Sequence, residues 1–216
     1  MHRFKLLFFL TLAISLSSCL EISETIKVNK DQSGSIKYEL KSSNTGNFLS
    51  LISGLFEVSI EDQIVGEAEK FIGQLKKQEG ISNIQHDFDK NRGSYFISFD
   101  FVNSKYFNEA LYKLAGSKKN IFTPGYIKVK KSQFKRINFS PWIKRYLEKE
   151  NIALPSSPLT DIITFTSIVE LPNTVLSVKA KEAIVSKDQR IVKQEFPLTE
   201  ITSGKAKTGI RIKFRK

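Results

Sequence analysis

The sequence predicts an α+β fold in which amphipathic helices pack on one face of an antiparallel sheet and the C-terminal part is all β. The first observation is the order of the periodic patterns over residues 22–115, which run hairpin, helices, hairpin, helix. The second is a series of strand-like segments, separated by turn residues, beyond residue 155. The third is composition: 17 Phe among 40% hydrophobic residues suffice for a core, and one cysteine leaves no disulfide framework.

Two β-hairpins are predicted. Hydrophobic residues of one parity over residues 22–28 are typical of a half-buried strand. Residues 31–34, Asp-Gln-Ser-Gly, form a turn, and hydrophobic and polar residues alternate again over residues 36–40. The second hairpin spans residues 84–101, with a turn that contains Gly93.

Three helices are predicted between and after the hairpins. Residues 48–56 and 60–78 each carry hydrophobic residues at helical spacing, and residues 104–115 repeat the pattern behind an N-cap at Asn103 or Ser104. The apolar stripe of residues 48–56 favours packing into the core, and the alternative is a helix that faces a membrane surface or a ligand.

The second half of the chain is predicted to be mostly strands. Residues 126–130 are strand-like, and Ser140-Pro141 forms a favourable N-cap and first-turn pair for a helix that continues through Leu147. Residues 154–158 are typical of a linker or a rigid turn. Beyond them, strands are predicted over residues 160–171, 174–185, 190–196 and 208–215.

The N-terminus has the pattern of an export signal. Basic residues precede an apolar run over residues 6–14, and small residues follow it. That run is too short to span the about 30 Å hydrocarbon core of a bilayer, so it is not a membrane helix of the mature protein. Leu16-Ser17-Ser18-Cys19 resembles the lipobox of bacterial lipoproteins, which consists of a Leu, two small residues and a cysteine.

The lipobox resemblance implies cleavage between Ser18 and Cys19 and attachment of a diacylglyceryl group to Cys19, which makes the membrane a partner. Because the first hairpin pattern begins at Ile22, the folded domain is expected to lie close to that membrane. Leu20 rather than Asp follows Cys19. In a Gram-negative cell this favours the outer membrane, with the protein facing the periplasm.

These patterns divide the chain into three parts. Residues 1–18 are the lipoprotein signal peptide, and residues 19–154 form an α+β domain with two hairpin-helix units and a basic segment. Residues 155–216 are β-rich. They form either a second small domain or the strands that complete the first sheet.

Positive charge is concentrated in one segment, because residues 110–147 carry ten basic residues and no acidic one. Aromatic residues interleave with the bases, which in a cytoplasmic protein would favour nucleic acid. The export signal argues against that partner and favours an anionic lipid surface or an envelope protein. Ordinary strand alternation, with bases towards solvent and aromatics towards the core, explains the same pattern. The predicted contacts with an anionic surface are Lys128, Lys130, Lys131, Lys135, Arg136, Lys144 and Arg145.

No catalytic constellation is visible in the sequence. His86 shares its parity with hydrophobic neighbours and is predicted to be a half-buried structural residue. No residues have zinc-ligand or calcium-loop spacing, and no phosphate-binding loop or nucleophile elbow occurs. We therefore expect no cofactor, no metal and no enzymatic activity. A hydrolase that uses two carboxylates distant in sequence is the enzymatic alternative.

Residues 164–201 contain a strand, a Pro-containing turn at Leu171-Pro172-Asn173, a short strand pair around residues 187–190, and Phe196-Pro197-Leu198 before a last strand. In these features the segment resembles an LppM-like bacterial lipoprotein domain. The resemblance implies an α+β module of the lipid envelope without established chemistry.

The leading hypothesis from the sequence is a lipid-anchored envelope lipoprotein that acts by non-enzymatic binding or scaffolding at the membrane surface. The alternative is a carrier in which Phe-rich helices close over a curved sheet around an apolar ligand.

Overall fold

The computed structural model describes residues 20–42, 60–89, 94–116, 123–149, 151 and 163–216. Within these ranges the chain forms eleven strands and four helices. In chain order they are β1 (Leu20–Val28), β2 (Gly34–Ser42), α1 (Ile60–Leu75), β3 (Ile81–Asp89), β4 (Ser94–Phe101), α2 (Ser104–Leu114), β5 (Ile127–Lys130), β6 (Gln133–Arg136), α3 (Ser140–Lys149), β7 (Thr164–Glu170), β8 (Val175–Lys179), β9 (Ile184–Val185), β10 (Ile191–Pro197), α4 (Leu198–Thr202) and β11 (Ile210–Phe214).

The strands form two sheets. Sheet A has seven strands in the order β3-β4-β2-β1-β7-β10-β9, and sheet B has four strands in the order β5-β6-β11-β8. Neighbouring strands are antiparallel except β1 and β7, which are parallel. The predicted α+β class is confirmed. Sheet A is mixed rather than wholly antiparallel, because β7 joins β1 only after the long crossover through residues 29–163.

Strands from the C-terminal part enter both sheets. β7, β10 and β9 extend sheet A beyond β1, while β8 and β11 pair with β6 in sheet B. The strand predicted over residues 174–185 is two strands, β8 and β9, since the chain turns between them at Glu182, whose φ is 58°. The short helix α4 was not predicted, because five residues carry too little periodicity to distinguish a helix from a turn.

Both predicted hairpins are present, and local side-chain bonds explain their ends. In the β1–β2 turn, Asp31 Oδ1 accepts hydrogen bonds from Ser33 Oγ at 2.6 Å and Ser33 N at 3.1 Å, which lowers the pKa of the Asp31 carboxyl. Helix α2 begins as predicted, with Asn103 Oδ1 accepting from Lys105 N at 2.9 Å. The helix predicted over residues 48–56 lies outside the described residues.

Helix α2 and sheet B cover the same face of sheet A. On that face Ile26 and Phe99 both lie opposite Ile36, and all three side chains are buried. The ring of Phe107 on α2 stacks on Phe99 with 6.1 Å between centroids. Glu24, two residues before Ile26 and therefore on the same face, is hydrogen-bonded to a side chain of β6. The core thus lies between sheet A and a cover made of a helix and a second sheet.

Two glycines are expected to respond to alanine in opposite directions. A Cβ on Gly34 would lie 2.2 Å from Lys27 O and 2.6 Å from Phe101 Cζ, whereas a Cβ on Gly66 of α1 meets no heavy atom within 4 Å. Gly34→Ala should lower the free energy of unfolding by about 1–3 kcal/mol through overpacking. Gly66→Ala should raise it by about 1 kcal/mol, because alanine loses less backbone entropy in a helix. Urea unfolding of both variants measures this. A stable Gly34→Ala protein would contradict the described packing of β2 on β4.

Candidate functional site

A row of polar side chains lies inside the core where sheet A faces sheet B. Glu24 on β1 is opposite Ser167 on β7, and Ser167 is opposite Gln194 on β10. The exposed fractions of the three residues are 0%, 2% and 1%. A carboxylate at this depth needs a charged partner and hydrogen-bond donors, because burial removes its water.

Arg136 of β6 is that partner, and its own exposed fraction is 1%. Its Nη1 donates to Glu24 Oε1 and to Ser167 Oγ. Its Nη2 donates to Gln194 Oε1 at 3.1 Å and to Thr208 O at 2.9 Å. The guanidinium therefore connects three strands of sheet A to sheet B. Its Nε, in contrast, is buried and has no hydrogen-bond partner within the described part of the chain.

Tyrosines complete the shell of Glu24. The hydroxyl of Tyr126 donates to Glu24 Oε2 at 2.6 Å. Burial, and then the charge of Glu24, raise the pKa of Tyr126 well above its ordinary value, and the same two causes act on Tyr38. Burial is the largest single influence on the pKa of Arg136 and acts to lower it. The charge and hydrogen bond of Glu24, together with the charges of Tyr126 and Tyr38, outweigh burial, so the pKa of Arg136 is raised. Arg136 is therefore stable in its charged form and the two phenols in their neutral form. Glu24 accepts hydrogen bonds from Arg136 and from Tyr126.

An aromatic cavity of about 620 Å³ opens beside this network, between α2, α3 and sheet A. The ring of Tyr126 packs on Phe139 with 5.7 Å between centroids, and Phe139 packs edge-on against Phe165 at 5.5 Å. The ring of Tyr112 on α2 packs against that of Trp142 on α3, with 6.0 Å between centroids. Glu24 and Tyr38 belong to the lining at the sheet A side, and Arg145 and Tyr146 belong to it on α3. The cavity lining is therefore mainly aromatic, with charged groups at a few points.

The outer face of sheet B is basic, and its bases lie in register. Lys128 is opposite Lys135, Lys135 is opposite Arg211, and Arg211 is opposite Lys179, so one base from each strand forms a row across the sheet. All four side chains are exposed. The four strands contain no acidic residue, and among the described residues no ion pair involves a member of this row. We call this row, together with Lys130 and Lys213, the basic face.

The structure separates the seven predicted surface contacts into three groups: four lie on or beside the basic face, two lie on α3, and Arg136 lies in the core. Lys128, Lys130 and Lys135 are exposed on the basic face, and Lys131 is exposed in the turn between β5 and β6. Lys144 and Arg145 are exposed on α3, in a different part of the molecule.

The prediction for Arg136 is wrong, because Arg136 points into the core and is paired with Glu24. Phe134 has the parity of Arg136 and is also buried, which is the sequence signal that identifies Arg136 as the inward residue. Sequence reasoning also missed Lys179, Arg211 and Lys213. The alternation of residues 210–214, Ile-Arg-Ile-Lys-Phe, indicates that the two bases of β11 face outward together.

The remaining residues singled out from the sequence are His86, Ser18 and Cys19. His86 is exposed on β3 rather than half-buried, opposite Ile97. No group of three or more His, Cys, Asp or Glu side chains in the described ranges is placed to hold a metal ion. Ser18 and Cys19 lie outside the described residues, and the first described residue is Leu20. Among the helices of the described chain, none is both long and apolar enough to cross a membrane.

Comparison with solved structures gives distant structural neighbours, two of which are described below. No protein-family model matches the sequence, and no curated protein matches it. The NMR structure of the folded domain of Mycobacterium tuberculosis LppM is 11% identical, with a TM-score of 0.39 over 92% of this chain and 90% of that domain. An aminopeptidase N family protein from Idiomarina loihiensis is 8% identical, with a TM-score of 0.35 over 88% of this chain and 29% of that protein. Similarity at this level does not establish a shared fold or function.

The Glu24–Arg136 pair is expected to be strongly coupled. Arg136→Met should lower the free energy of unfolding by about 3–5 kcal/mol, because it leaves the Glu24 carboxylate buried without its cation. The double variant with Glu24→Gln should lose clearly less than the sum of the two single variants. The matched control is Glu39→Gln. The native Glu39 carboxylate pairs with Lys37 at 3.1 Å and with Lys41 at 2.9 Å near the surface. Its replacement should lower the free energy of unfolding by at most about 1 kcal/mol. Urea unfolding measures all four, and equal costs for Arg136→Met and Glu39→Gln would contradict the described network.

Proposed function

We propose that this chain is a lipid-anchored lipoprotein of the cell envelope that acts without catalysis, by binding an anionic lipid surface through the basic face. The observation that carries the proposal is the row of Lys128, Lys135, Arg211 and Lys179, one base on each strand of sheet B.

The arrangement of the row favours an external anionic partner. Like charges directly opposite each other on neighbouring strands destabilise a sheet, and here three successive pairs are alike. Strands lie about 4.8 Å apart, so the row spans roughly 15 Å with no acid beside it on sheet B. An array of lipid phosphates neutralises such a row. Each base near an anionic membrane contributes up to about 1 kcal/mol, and salt screens the attraction.

The neighbourhood of the row supports the same partner. Lys130 and Lys213 lie beside it on the same face, and Lys131, Arg215 and Lys216 are exposed at the adjacent edge. Leu176 of β8 is 62% exposed next to these bases. Basic residues with an exposed apolar side chain among them are typical of surfaces that contact a lipid headgroup layer.

A lipid on Cys19 would hold this domain close to the membrane, because β1 begins at Leu20, the residue that follows Cys19. Such a lipid gives the second membrane signal that stable attachment requires, since a single weak interaction binds only reversibly. In a Gram-negative cell we place the protein on the periplasmic face of the outer membrane, on the basis of Leu20. An envelope protein with an acidic surface is the alternative partner.

The absence of catalysis is part of the proposal and is supported by the state of Glu24. Among the described residues that line the aromatic cavity it is the only carboxylate, and it is held by Arg136, Tyr126 and Ser167. A hydrolase with two carboxylates needs a second acid within reach and one with a displaced pKa.

The anchor itself is testable by mass. Expressed in a bacterium with its full sequence, the protein should begin at residue 19 and carry a diacylglyceryl group on that cysteine, often with a further acyl chain on the new amine. Mass spectrometry of the purified protein should therefore find a lipid-modified N-terminal peptide, and Cys19→Ser should remain unprocessed. An unmodified Cys19, or a mature chain that retains residues 1–18, would show that no such anchor exists.

Surface binding should depend on where the bases lie and not only on how many there are. We use residues 19–216 with Cys19→Ser, so that no lipid anchor contributes. Changing Lys128, Lys135, Lys179 and Arg211 together to Gln should weaken binding to phosphatidylserine vesicles at low salt by about 100-fold or more, from four lost contributions of up to about 1 kcal/mol each. Vesicle co-sedimentation measures this.

The matched control removes the same charge elsewhere. Lys27, Lys30, Lys76 and Lys77 are exposed and lie outside sheet B, and their change to Gln should leave vesicle affinity within about threefold. Binding to neutral phosphatidylcholine vesicles should be absent for every variant. If both quadruple variants lose affinity equally, the basic face has no special role. If the native protein ignores anionic vesicles at low salt, a lipid surface is not its partner.

A further inference from the structure

The aromatic cavity has a mainly apolar lining in which Glu24, Tyr126 and Tyr112 are already hydrogen-bonded to the protein. The Tyr126 hydroxyl donates to Glu24, and Glu24 also accepts from Arg136 and from Ser167, the latter at 3.2 Å. The Tyr112 hydroxyl donates to Pro124 O. Since these groups hold one another, they have little to offer a polar ligand. A group that enters the cavity therefore gains mainly contact with rings and aliphatic side chains.

The mouth of the cavity has a different character. On α3, Ile143 is 37% exposed and Tyr146 is 55% exposed. Arg145, which also lines the cavity, is exposed as well. Arg145 donates a hydrogen bond through its Nε to Pro141 O at 3.2 Å. Its two Nη groups form the fork that binds carboxylate or phosphate. The cavity therefore combines a hydrocarbon-like interior with a cationic rim.

We propose that this cavity binds a single-chain acidic amphiphile, with the hydrocarbon chain among Phe139, Trp142 and Phe165 and the anionic head at Arg145. The volume of about 620 Å³ lies within the about 300–1,000 Å³ range of small-molecule sites. The head is a carboxylate or a phosphate monoester, since Arg binds both in the same forked geometry. This binding activity is separate from the basic face, because Arg145 and the lining residues lie outside sheet B.

The position of the cavity suits a ligand that comes from a bilayer. Its lining residues Phe165 and Tyr38 lie opposite Ile22 and Glu24, near the beginning of β1. Glu24 is four residues from Leu20, which is about 13 Å along the strand. This step alone depends on the proposed lipid at Cys19, which would bring the cavity to the membrane where such amphiphiles reside.

Trp142 makes the proposal directly measurable, because it is the only tryptophan of the chain and lines the cavity. Bromine atoms quench tryptophan fluorescence on contact, so a dibrominated fatty acid bound in the cavity should quench it. With residues 19–216 carrying Cys19→Ser, we expect saturable quenching at one fatty acid per protein, below the concentration at which the acid forms micelles. A brominated lysophosphatidic acid tests the phosphate head, and the brominated methyl ester tests the chain without a charge.

Three variants separate the interior from the rim. Ala115→Phe fills the cavity from the end of α2 and should abolish quenching by all three probes. Arg145→Gln should weaken binding of the better acidic probe by about fivefold and leave the ester unchanged. Lys144→Gln, on the same helix but outside the lining, is the matched control and should change none of the affinities.

Each opposite result overturns the proposal. Quenching that never saturates, or that persists in Ala115→Phe, would mean that the probes contact Trp142 without entering the cavity. Equal affinity for ester and both acids, unchanged by Arg145→Gln, would mean that Arg145 does not hold the head. Because Arg145 is exposed, its variant is expected to fold, and its result stands even if Ala115→Phe unfolds the protein.

Discussion

The pairing of Glu24 with Arg136 is the interaction on which the arrangement of the two sheets depends. The carboxylate belongs to a central strand of sheet A and the guanidinium to a strand of sheet B, and both residues are at most 1% exposed. An isolated buried charge costs several kcal/mol, so the chain can bury one of them only by bringing the other to it. A pair of this kind adds little net stability over a hydrophobic one, but it fixes register. Arg136 finds Glu24, Ser167 and Gln194 together only when β6 crosses β1, β7 and β10 at one position.

That constraint also determines what sheet B shows to solvent. Once Arg136 points inward, the alternation of the strand directs Lys135 outward, and the register of β6 with β5 and β11 places Lys128 and Arg211 beside it. Lys128, Lys135 and Arg211 therefore point outward because the residues on either side of each are buried. The same crossing leaves room for the aromatic cavity, because Tyr126 and Phe139 flank sheet B and continue the lining from Glu24 towards α3.

Sequence reasoning succeeds where the cause is local. The hairpin of β1 and β2 follows from alternation and an Asp-x-Ser-Gly turn. The start of α2 follows from Asn103, whose side chain accepts from the nearby amides of Lys105 and Tyr106. It fails for Arg136, since charge alone assigns an arginine among lysines to the surface, and the overriding evidence is a glutamate 112 residues away. The alternation gave a usable signal for both residues: Arg136 shares parity with Phe134, and Glu24 with Ile26.

Long-range pairing limits the rest. Nothing between Val28 and Thr164 indicates that β7 will lie parallel to β1, because a crossover of that length is compatible with many sheet orders. The cavity depends on that pairing, since Phe165 reaches Phe139 only from β7. The sequence therefore identifies the aromatic residues and the bases, but it does not show which of them lie close together in the fold.

The place of β1 in sheet A gives physical meaning to an attachment at Cys19. β1 is not an edge strand: it is bonded to β2 from Leu20 to Val28 and to β7 from Glu21 to Lys27. A pull along the strand at its first residue therefore loads many hydrogen bonds of two neighbours in shear, and these must break together rather than one after another. An edge strand held at its last residue would instead peel from one neighbour. A lipid at Cys19 would thus be joined directly to a strand that is hydrogen-bonded on both sides. The domain could then rotate about its attachment point, but the end of β1 would not detach from its neighbouring strands. With a lipid at Cys19, the fold itself would determine which faces reach the membrane. The orientation of the basic face and of the cavity mouth would then follow from the crossing of the two sheets that Glu24 and Arg136 join.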